Sequence, residues 1–171
     1  MRLFIAMELP SEVRRSISDW IEPLSRQHSD LRWTSCENLH VTLRFLGNVN
    51  PDSVIQKMKE SQIKSFLPVE FTLNRLGTFG RPSSVLWVSG KFSEGVFDLA
   101  EKLGSIPDDR GLTKTCRYCP HITVARARRG FSIPFLPWRE SLIGASSTIG
   151  LYSSELTGKG SVYTILHSTG L

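Results

Sequence analysis

Short apolar runs alternate along the chain with three amphipathic segments, a pattern that predicts an α+β fold. Apolar residues at helical spacing run from Val13 to Leu24, after a predicted N-cap at Pro10-Ser11. A second helix is predicted after Asn50-Pro51, which reads as a cap followed by proline at the first helical position. A third helix is expected to be capped by Ser93 and to stop at Gly104.

Segments with the pattern of β-strands lie before, between and after these helices, and glycines separate them. The predicted strands are Leu3–Met7, Leu39–Leu46, Val69–Leu76, Ser84–Val88, Ile122–Ala125, Thr148–Tyr152 and Val162–Leu166. Runs of this kind favour mostly antiparallel strands. No low-complexity linker divides the chain, so residues 1–171 are predicted to form a single domain.

One short pattern occurs twice, separated by about half the chain. His40-Val41-Thr42-Leu43 and His121-Ile122-Thr123-Val124 share the order histidine, aliphatic, threonine, aliphatic. Two similar halves, each contributing one copy, are the expected origin of such a repeat.

In a strand, each copy displays an imidazole and a hydroxyl on one face and apolar side chains on the other. A groove lined by two histidines is suited to acid–base catalysis of a displacement reaction at phosphorus. The pKa of histidine, near 6.5, lets one ring accept a proton while the other donates one. Each proton transfer is worth roughly 10²–10⁴-fold in rate. Threonine hydroxyls can donate hydrogen bonds to phosphoryl oxygens.

Composition narrows the class of protein. The chain of 171 residues is 40% hydrophobic and 22% charged, which is typical of a globular protein and not of a disordered one. It has no apolar run long enough to cross a membrane. The net charge of +5 suits an anionic partner, although a solvated cationic face would explain it equally well. Three cysteines, an odd number, favour a reducing cytoplasm over a disulfide scaffold.

Several segments besides the two motifs, spread over nearly the whole chain, resemble one known family. They are 2–6, 31–33, 37–47, 85–88, 120–126, 151–156 and 163–166. With these segments the chain resembles the RNA 2′,3′-cyclic phosphodiesterases, long called 2′-5′ RNA ligases, of the two-histidine (2H) phosphoesterase superfamily.

This resemblance implies a bilobal α+β fold, with two mainly antiparallel sheets related by pseudo-twofold symmetry around a central groove and with helices outside. It implies metal-independent hydrolysis of RNA 2′,3′-cyclic phosphate ends to 2′-phosphomonoesters, without a cofactor. His40 would be the proton donor and His121 the proton acceptor, with Thr42, Thr123 and Arg126 binding the phosphate. The residues alone do not order the two histidines, because the motifs are chemically equivalent.

Four side chains near the motifs have competing interpretations. Arg126 matches a family arginine, but strand alternation puts it on the face opposite His121, so it needs a bend to reach phosphate. Arg44 has the right parity for the groove and could equally be a solvated charge at its rim. Phe45 and Trp87 could stack on bases, but alternation favours the core for Phe45 and packing for Trp87. The positive charge near the motifs comes from Arg44, Arg117, Arg126, Arg128 and Arg129.

The cysteines leave a second chemistry open. Cys116 and Cys119 precede His121, and Cys36 precedes His40. If the motifs meet in space, the three thiols and one histidine could form a tetrahedral zinc site. The simpler interpretation is free thiols.

Two further functions also remain open. The same groove could join a 2′,3′-cyclic end to a 5′-hydroxyl in a 2′-5′ linkage, although no energy-coupling motif is present. It could instead hold a nucleotide or an RNA end without turnover. The expected partner in each case is RNA with a 2′,3′-cyclic phosphate terminus, or a related cyclic nucleotide, bound by a monomer without a membrane.

Overall fold

An antiparallel sheet forms one layer of the structure, and three helices cover one of its faces. The computed structural model describes residues 1–113, 118–127, 130–131, 138, 141–158 and 160–170. The strands in these ranges are β1 (Arg2–Glu8), β2 (Arg32–Trp33), β3 (His40–Gly47), β4 (Val69–Phe79), β5 (Val85–Phe92), β6 (Ile122–Arg126), β7 (Leu142–Ser146), β8 (Thr148–Thr157) and β9 (Gly160–Gly170). The helices are α1 (Ser11–Gln27), α2 (Pro51–Glu60) and α3 (Gly95–Gly104).

The sheet consists of two halves joined at one seam. Its strand order is β7-β4-β5-β6-β3-β1-β8-β9, and β2 pairs with β6 beyond the end of β3. Strands β6 and β3 belong to different halves and meet through the single residue pair Val41–Ile122 in the described residues. Each half therefore contributes one His-x-Thr strand to the seam.

The apolar core lies between the sheet and the helices. The odd-numbered residues Leu3, Ile5 and Met7 of β1 are buried in one cluster with the apolar stripes of the helices. Those stripes are Val13, Ile17 and Ile21 of α1, Val54 and Met58 of α2, and Val96, Leu99 and Leu103 of α3. The opposite side of the sheet, which carries the alternate residues Phe4, Ala6 and Glu8 of β1, is called the open face below.

The ends of the helices show which of the predicted capping residues form caps. Asn50 caps α2 as predicted, because its side chain accepts a hydrogen bond from a backbone N–H of the first turn at 3.1 Å. Gly104 ends α3, also as predicted. Ser93 does not cap α3; its hydroxyl oxygen instead accepts from the backbone N–H of Glu70 at 3.1 Å. At Pro10-Ser11, α1 begins without a side-chain cap.

The prediction that Phe45 enters the core is wrong, because β3 contains a bulge. Along β1, Ile5 pairs with Arg44 and the next residue, Ala6, pairs with Thr42, so Leu43 is an extra residue. An extra residue reverses the alternation that follows it. Arg44 is consequently only 6% exposed, whereas Phe45 is 63% exposed and lies on the open face.

Arg44 is neither a groove residue nor a solvated charge. Its guanidinium donates to the backbone carbonyls of Ile106 and Leu112, with the shortest contact 2.7 Å to Leu112. Ile106 follows the carboxyl end of α3, where the helix dipole favours a cation. Arg44 thus ties β3 to the segment that runs from α3 toward the second motif.

The short strands β2 and β7 were not predicted, because neither shows a sustained period-two pattern. None of the helices in the described ranges has both the length and the apolarity needed to cross a bilayer. Cys116, Arg117, Arg128 and Arg129 lie outside the described residues.

Replacing Arg44 with methionine should lower the free energy of unfolding by about 1–3 kcal/mol. The substitution leaves the buried carbonyls that Arg44 satisfies without donors. Chemical denaturation would measure this loss. Arg15, exposed on α1, provides the matched control, and R15M should shift stability by no more than about 0.5 kcal/mol. Equal stability of R44M and wild type would contradict the anchoring role.

Candidate active site

The register at the seam brings the two motifs side by side. Val41 pairs with Ile122 in an antiparallel sense, so His40 lies opposite Thr123 and Thr42 lies opposite His121. Val41 and Ile122 are completely buried on the helix-covered face, which directs their neighbours to the open face. Two imidazoles and two hydroxyls therefore converge on one patch, as the repeat predicts.

Both ring nitrogens of His40 have partners. Nδ1 lies 2.6 Å from the carbonyl oxygen of Asn38, and Nε2 lies 3.0 Å from Oγ1 of Thr42. A carbonyl only accepts, so Nδ1 carries the proton of the neutral ring and donates it to Asn38. Nε2 then accepts from the Thr42 hydroxyl and is the nitrogen that faces the open side.

The second motif repeats this arrangement. Nδ1 of His121 lies 2.8 Å from the carbonyl oxygen of Cys119, again two residues earlier in the chain. The same reasoning places the proton of the neutral ring on Nδ1 and makes Nε2 its unprotonated nitrogen. The two halves thus present equivalent nitrogens to one another.

An aromatic ring supports His40 from the neighbouring strand. The ring of Phe4 on β1 lies 5.0 Å from the imidazole, centroid to centroid, and Tyr163 of β9 meets the imidazole edge-on at 5.5 Å. Phe4 in turn stacks on Tyr152 at 5.3 Å. Tyr152 lies flat over Gly150, where an added Cβ would come within 2.5 Å of its ring. A larger residue at position 150 would displace the Tyr152 ring.

His121 has a corresponding aromatic pair. Phe79 of β4 meets its imidazole edge-on at 4.9 Å, and Trp87 of β5 packs on Phe79 at 5.3 Å. The Trp87 ring covers Gly77, where an added Cβ would come within 2.2 Å of it. Trp87 packs against other side chains, as predicted, but it does so on the open face, beside the site.

Burial sets the charge of His40 in the unliganded protein. Desolvation, together with the nearby charges of Arg126 and His121, lowers the pKa of His40 from 6.5 to about 4. The hydrogen bond to Asn38 opposes this shift only in part. His40 is therefore neutral at neutral pH in the unliganded protein.

A second bulge brings Arg126 to the site. Along β5, Trp87 pairs with Thr123, and the preceding residue, Leu86, pairs with Ala125, so Val124 is an extra residue of β6. Alternation reverses after it. Arg126 consequently projects from the open face with His121, and its charge acts on the pKa of His40. This bulge supplies the bend that Arg126 needs in order to lie on the same face of the sheet as His121.

Sequence reasoning missed the residues that support the motifs from elsewhere. Tyr118 donates its hydroxyl proton to the backbone carbonyl of Thr42 at 2.8 Å, across the seam. Phe4, Phe79 and Tyr163 contact the imidazoles but occur in ordinary strand patterns. For Phe4, the indication in the sequence is strand alternation, which places its side chain on the face opposite the buried Leu3 and Ile5.

The structure adds nothing to the zinc hypothesis. Within the described ranges, no three or more His, Cys, Asp or Glu side chains are grouped so that they could hold a metal ion. Cys36 and Cys119 are free thiols there.

Comparison with known proteins identifies the family. The model of the LigT-like phosphoesterase family matches residues 7–87, which include the first motif. An RNA 2′,3′-cyclic phosphodiesterase of Thermotoga maritima is 30% identical over 98% of this chain and 94% of its own length. The chain belongs to the LigT-like phosphoesterase family. Membership confirms the resemblance found in the sequence and the prediction of an enzyme.

Solved structures of the LigT-like family confirm the fold class. Escherichia coli LigT in its apo form matches with a TM-score of 0.79 and 27% identity, covering 99% of this chain and 96% of that one. The structure of E. coli LigT complexed with 3′-AMP matches with a TM-score of 0.72 and 26% identity, covering 99% and 97%. The predicted α+β fold class is therefore confirmed, and the two predicted sheets are the two halves of one continuous sheet that meet at the seam.

The pKa of His40 can be measured directly by NMR titration of its imidazole. We expect about 4 in the unliganded protein and a higher value when inorganic phosphate is added, since an anion stabilises the imidazolium.

Folding lowers the pKa of His40, so the unfolded chain binds the proton more tightly than the folded protein does. The stability linked to His40 is complete above pH 6.5 and falls by up to about 3 kcal/mol as pH drops to 4. H40N should lack this loss, and its persistence in H40N would contradict the assignment.

Removing the Tyr118 hydroxyl should lower kcat about tenfold in Y118F, with little change in KM, because one hydrogen bond across the seam is lost. Y152F is the matched control, since Tyr152 makes a bond of equal length to Glu8 within one half of the sheet. Its kcat should fall less. Equal effects of the two variants on kcat would show that Tyr118 does not position the seam.

Proposed function

We propose that this enzyme hydrolyses the terminal 2′,3′-cyclic phosphate of RNA to a 2′-phosphomonoester, without a metal or cofactor. The observation that carries the proposal is the antiparallel register that sets His40 and Thr42 against Thr123 and His121 on one face. The relative from Thermotoga maritima is named as an RNA 2′,3′-cyclic phosphodiesterase. The whole chain of 171 residues would act as one two-lobed unit.

The reaction needs one base and one acid on opposite sides of the phosphorus. His121 accepts a proton from water at Nε2, and the water oxygen forms a bond to phosphorus. The bond from phosphorus to the 3′ oxygen breaks, and Nε2–H of His40 protonates that oxygen. The product carries a 2′-phosphate and a free 3′-hydroxyl. Thr42, Thr123 and Arg126 stabilise the charge on the phosphoryl oxygens.

Substrate binding prepares His40 for its acid role. The burial that keeps His40 neutral also strengthens its attraction to an anion, because the local dielectric is low. A cyclic phosphate, which carries one negative charge, raises the pKa of His40 when it binds. The imidazolium then has a proton at both nitrogens, with Nδ1–H still held by the Asn38 carbonyl.

An exposed aromatic ring supports a nucleic-acid substrate. Phe45 lies 6.0 Å from Phe4, ring to ring, and Phe4 contacts His40. A base stacked on such a ring contributes about 1–3 kcal/mol without sequence preference. The protein is proposed to act as a monomer in the cytoplasm, where its free thiols Cys36 and Cys119 would stay reduced.

The test is incubation with an RNA oligonucleotide that ends in a 2′,3′-cyclic phosphate, in the presence of chelator, with the product resolved from its 3′-phosphate isomer. We expect the 2′-phosphate and a bell-shaped dependence of kcat/KM on pH. H40A and H121A should each lose at least about 10²-fold in kcat. H28A, which changes a histidine at the end of α1, should retain wild-type rates.

The outcomes separate the competing functions. Near wild-type turnover in H40A or H121A would contradict the acid–base pair. Tight binding without product would favour a binding module, and a 2′-5′ joined product from a 5′-hydroxyl acceptor would favour ligation. Loss of turnover in chelator would exclude the metal-independent route.

A further inference from the structure

A second arginine lies beside Arg126 on the open face, in a position that the proposed reaction does not use. Arg32 of β2 is the direct antiparallel partner of Arg126 in β6. Direct partners project from the same face, with Cβ atoms about 5 Å apart. Arg126 projects toward the site, so Arg32 does as well.

Strand β2 has two residues, yet its backbone is well held. Leu31 is buried, and Trp33 packs against the core with its indole N–H donating to the carbonyl of His28 at 3.0 Å. The backbone N–H of Thr34 donates to the carbonyl of Val124 at 2.9 Å. Because its two neighbours are turned inward, Arg32 is directed to the open face by alternation.

Among the described residues, the pair concentrates positive charge without a counterion. Both arginines are exposed, and neither makes an ion pair or a side-chain hydrogen bond within the described ranges. Like charges placed directly opposite each other in a sheet lower its stability. A bound anion would remove this repulsion, and arginine's planar fork suits the paired oxygens of a phosphate.

The position of the pair relative to the histidines suggests which phosphate binds. Arg126 acts on the pKa of His40 and so lies near the reacting phosphate. Arg32 lies beside it at the far end of β6, about 10 Å along the strand from Thr123. One nucleotide can bridge this distance. In an RNA end, the next anion is the phosphodiester on the 5′ side of the terminal nucleotide.

We propose that Arg32, next to Arg126, binds the phosphodiester on the 5′ side of the terminal nucleotide, so that the enzyme prefers oligonucleotide ends to cyclic mononucleotides. The inference rests on the proposed function, since it names a second contact of the same substrate. It predicts selectivity for chain length and not for base.

The experiment compares adenosine 2′,3′-cyclic phosphate with the dinucleotide that ends in the same cyclic phosphate. In wild type, kcat/KM should favour the dinucleotide. In R32A this preference should fall about tenfold, the size of one charged hydrogen bond, mainly through KM for the dinucleotide. R32K should retain part of the preference. R15A, which removes an exposed arginine of α1, should keep all of it.

A neutral linkage gives an independent readout. Replacing the internal phosphodiester of the dinucleotide by a methylphosphonate should remove the wild-type preference and leave R32A insensitive to the change. The dependence of the dinucleotide KM on salt should also be shallower in R32A, by a slope of about 0.7. Arg32 makes no ion pair or side-chain hydrogen bond with the described part of the chain, so Tm should not fall in R32A.

The failures of the two proposals are distinguishable. If wild type hydrolyses neither substrate, the proposed function is wrong, and the subsite proposal is wrong with it. If wild type hydrolyses both with equal kcat/KM, or if R32A slows both by the same factor, the function stands and the subsite is overturned. A methylphosphonate that binds as well as the phosphodiester would also overturn it.

Discussion

The backbone pair between Val41 and Ile122 is the constraint on which the site depends. Side chains alternate along a strand, so a slip of one strand by one residue would turn its histidine toward the helices. Val41 and Ile122 prevent such a slip because both are fully buried in the core. Apolar packing on one face of the sheet thereby sets the geometry of the candidate site on the other.

Two bulges change which side chains project from the face of the sheet that carries the two histidines. In β3, the extra residue Leu43 turns Arg44 into the protein and Phe45 out of it. In β6, the extra residue Val124 turns Arg126 toward the site. Bulges near active sites commonly re-aim side chains, and here each one follows a His-x-Thr motif. The repeat therefore extends beyond the motif to the distortion that follows it.

The aromatic surroundings explain how two chemically equal histidines stay in place. Each ring is held at Nδ1 by a carbonyl and flanked by an aromatic ring from another strand. The same surroundings exclude water from His40, which keeps its imidazole neutral at neutral pH. The contacts that hold the His40 ring in place are thus also the contacts that remove it from water.

The sequence alone determined the fold class, the paired motifs and their apolar frame, because alternation and helical spacing are local properties of the chain. Only the tertiary structure decided the places of Arg44, Phe45 and Arg126, since a bulge arises from pairing with a neighbouring strand and leaves no trace in the spacing of apolar residues. The same holds for Tyr118 and Arg32. Their roles depend on partners that lie far along the chain and meet them only across the assembled sheet.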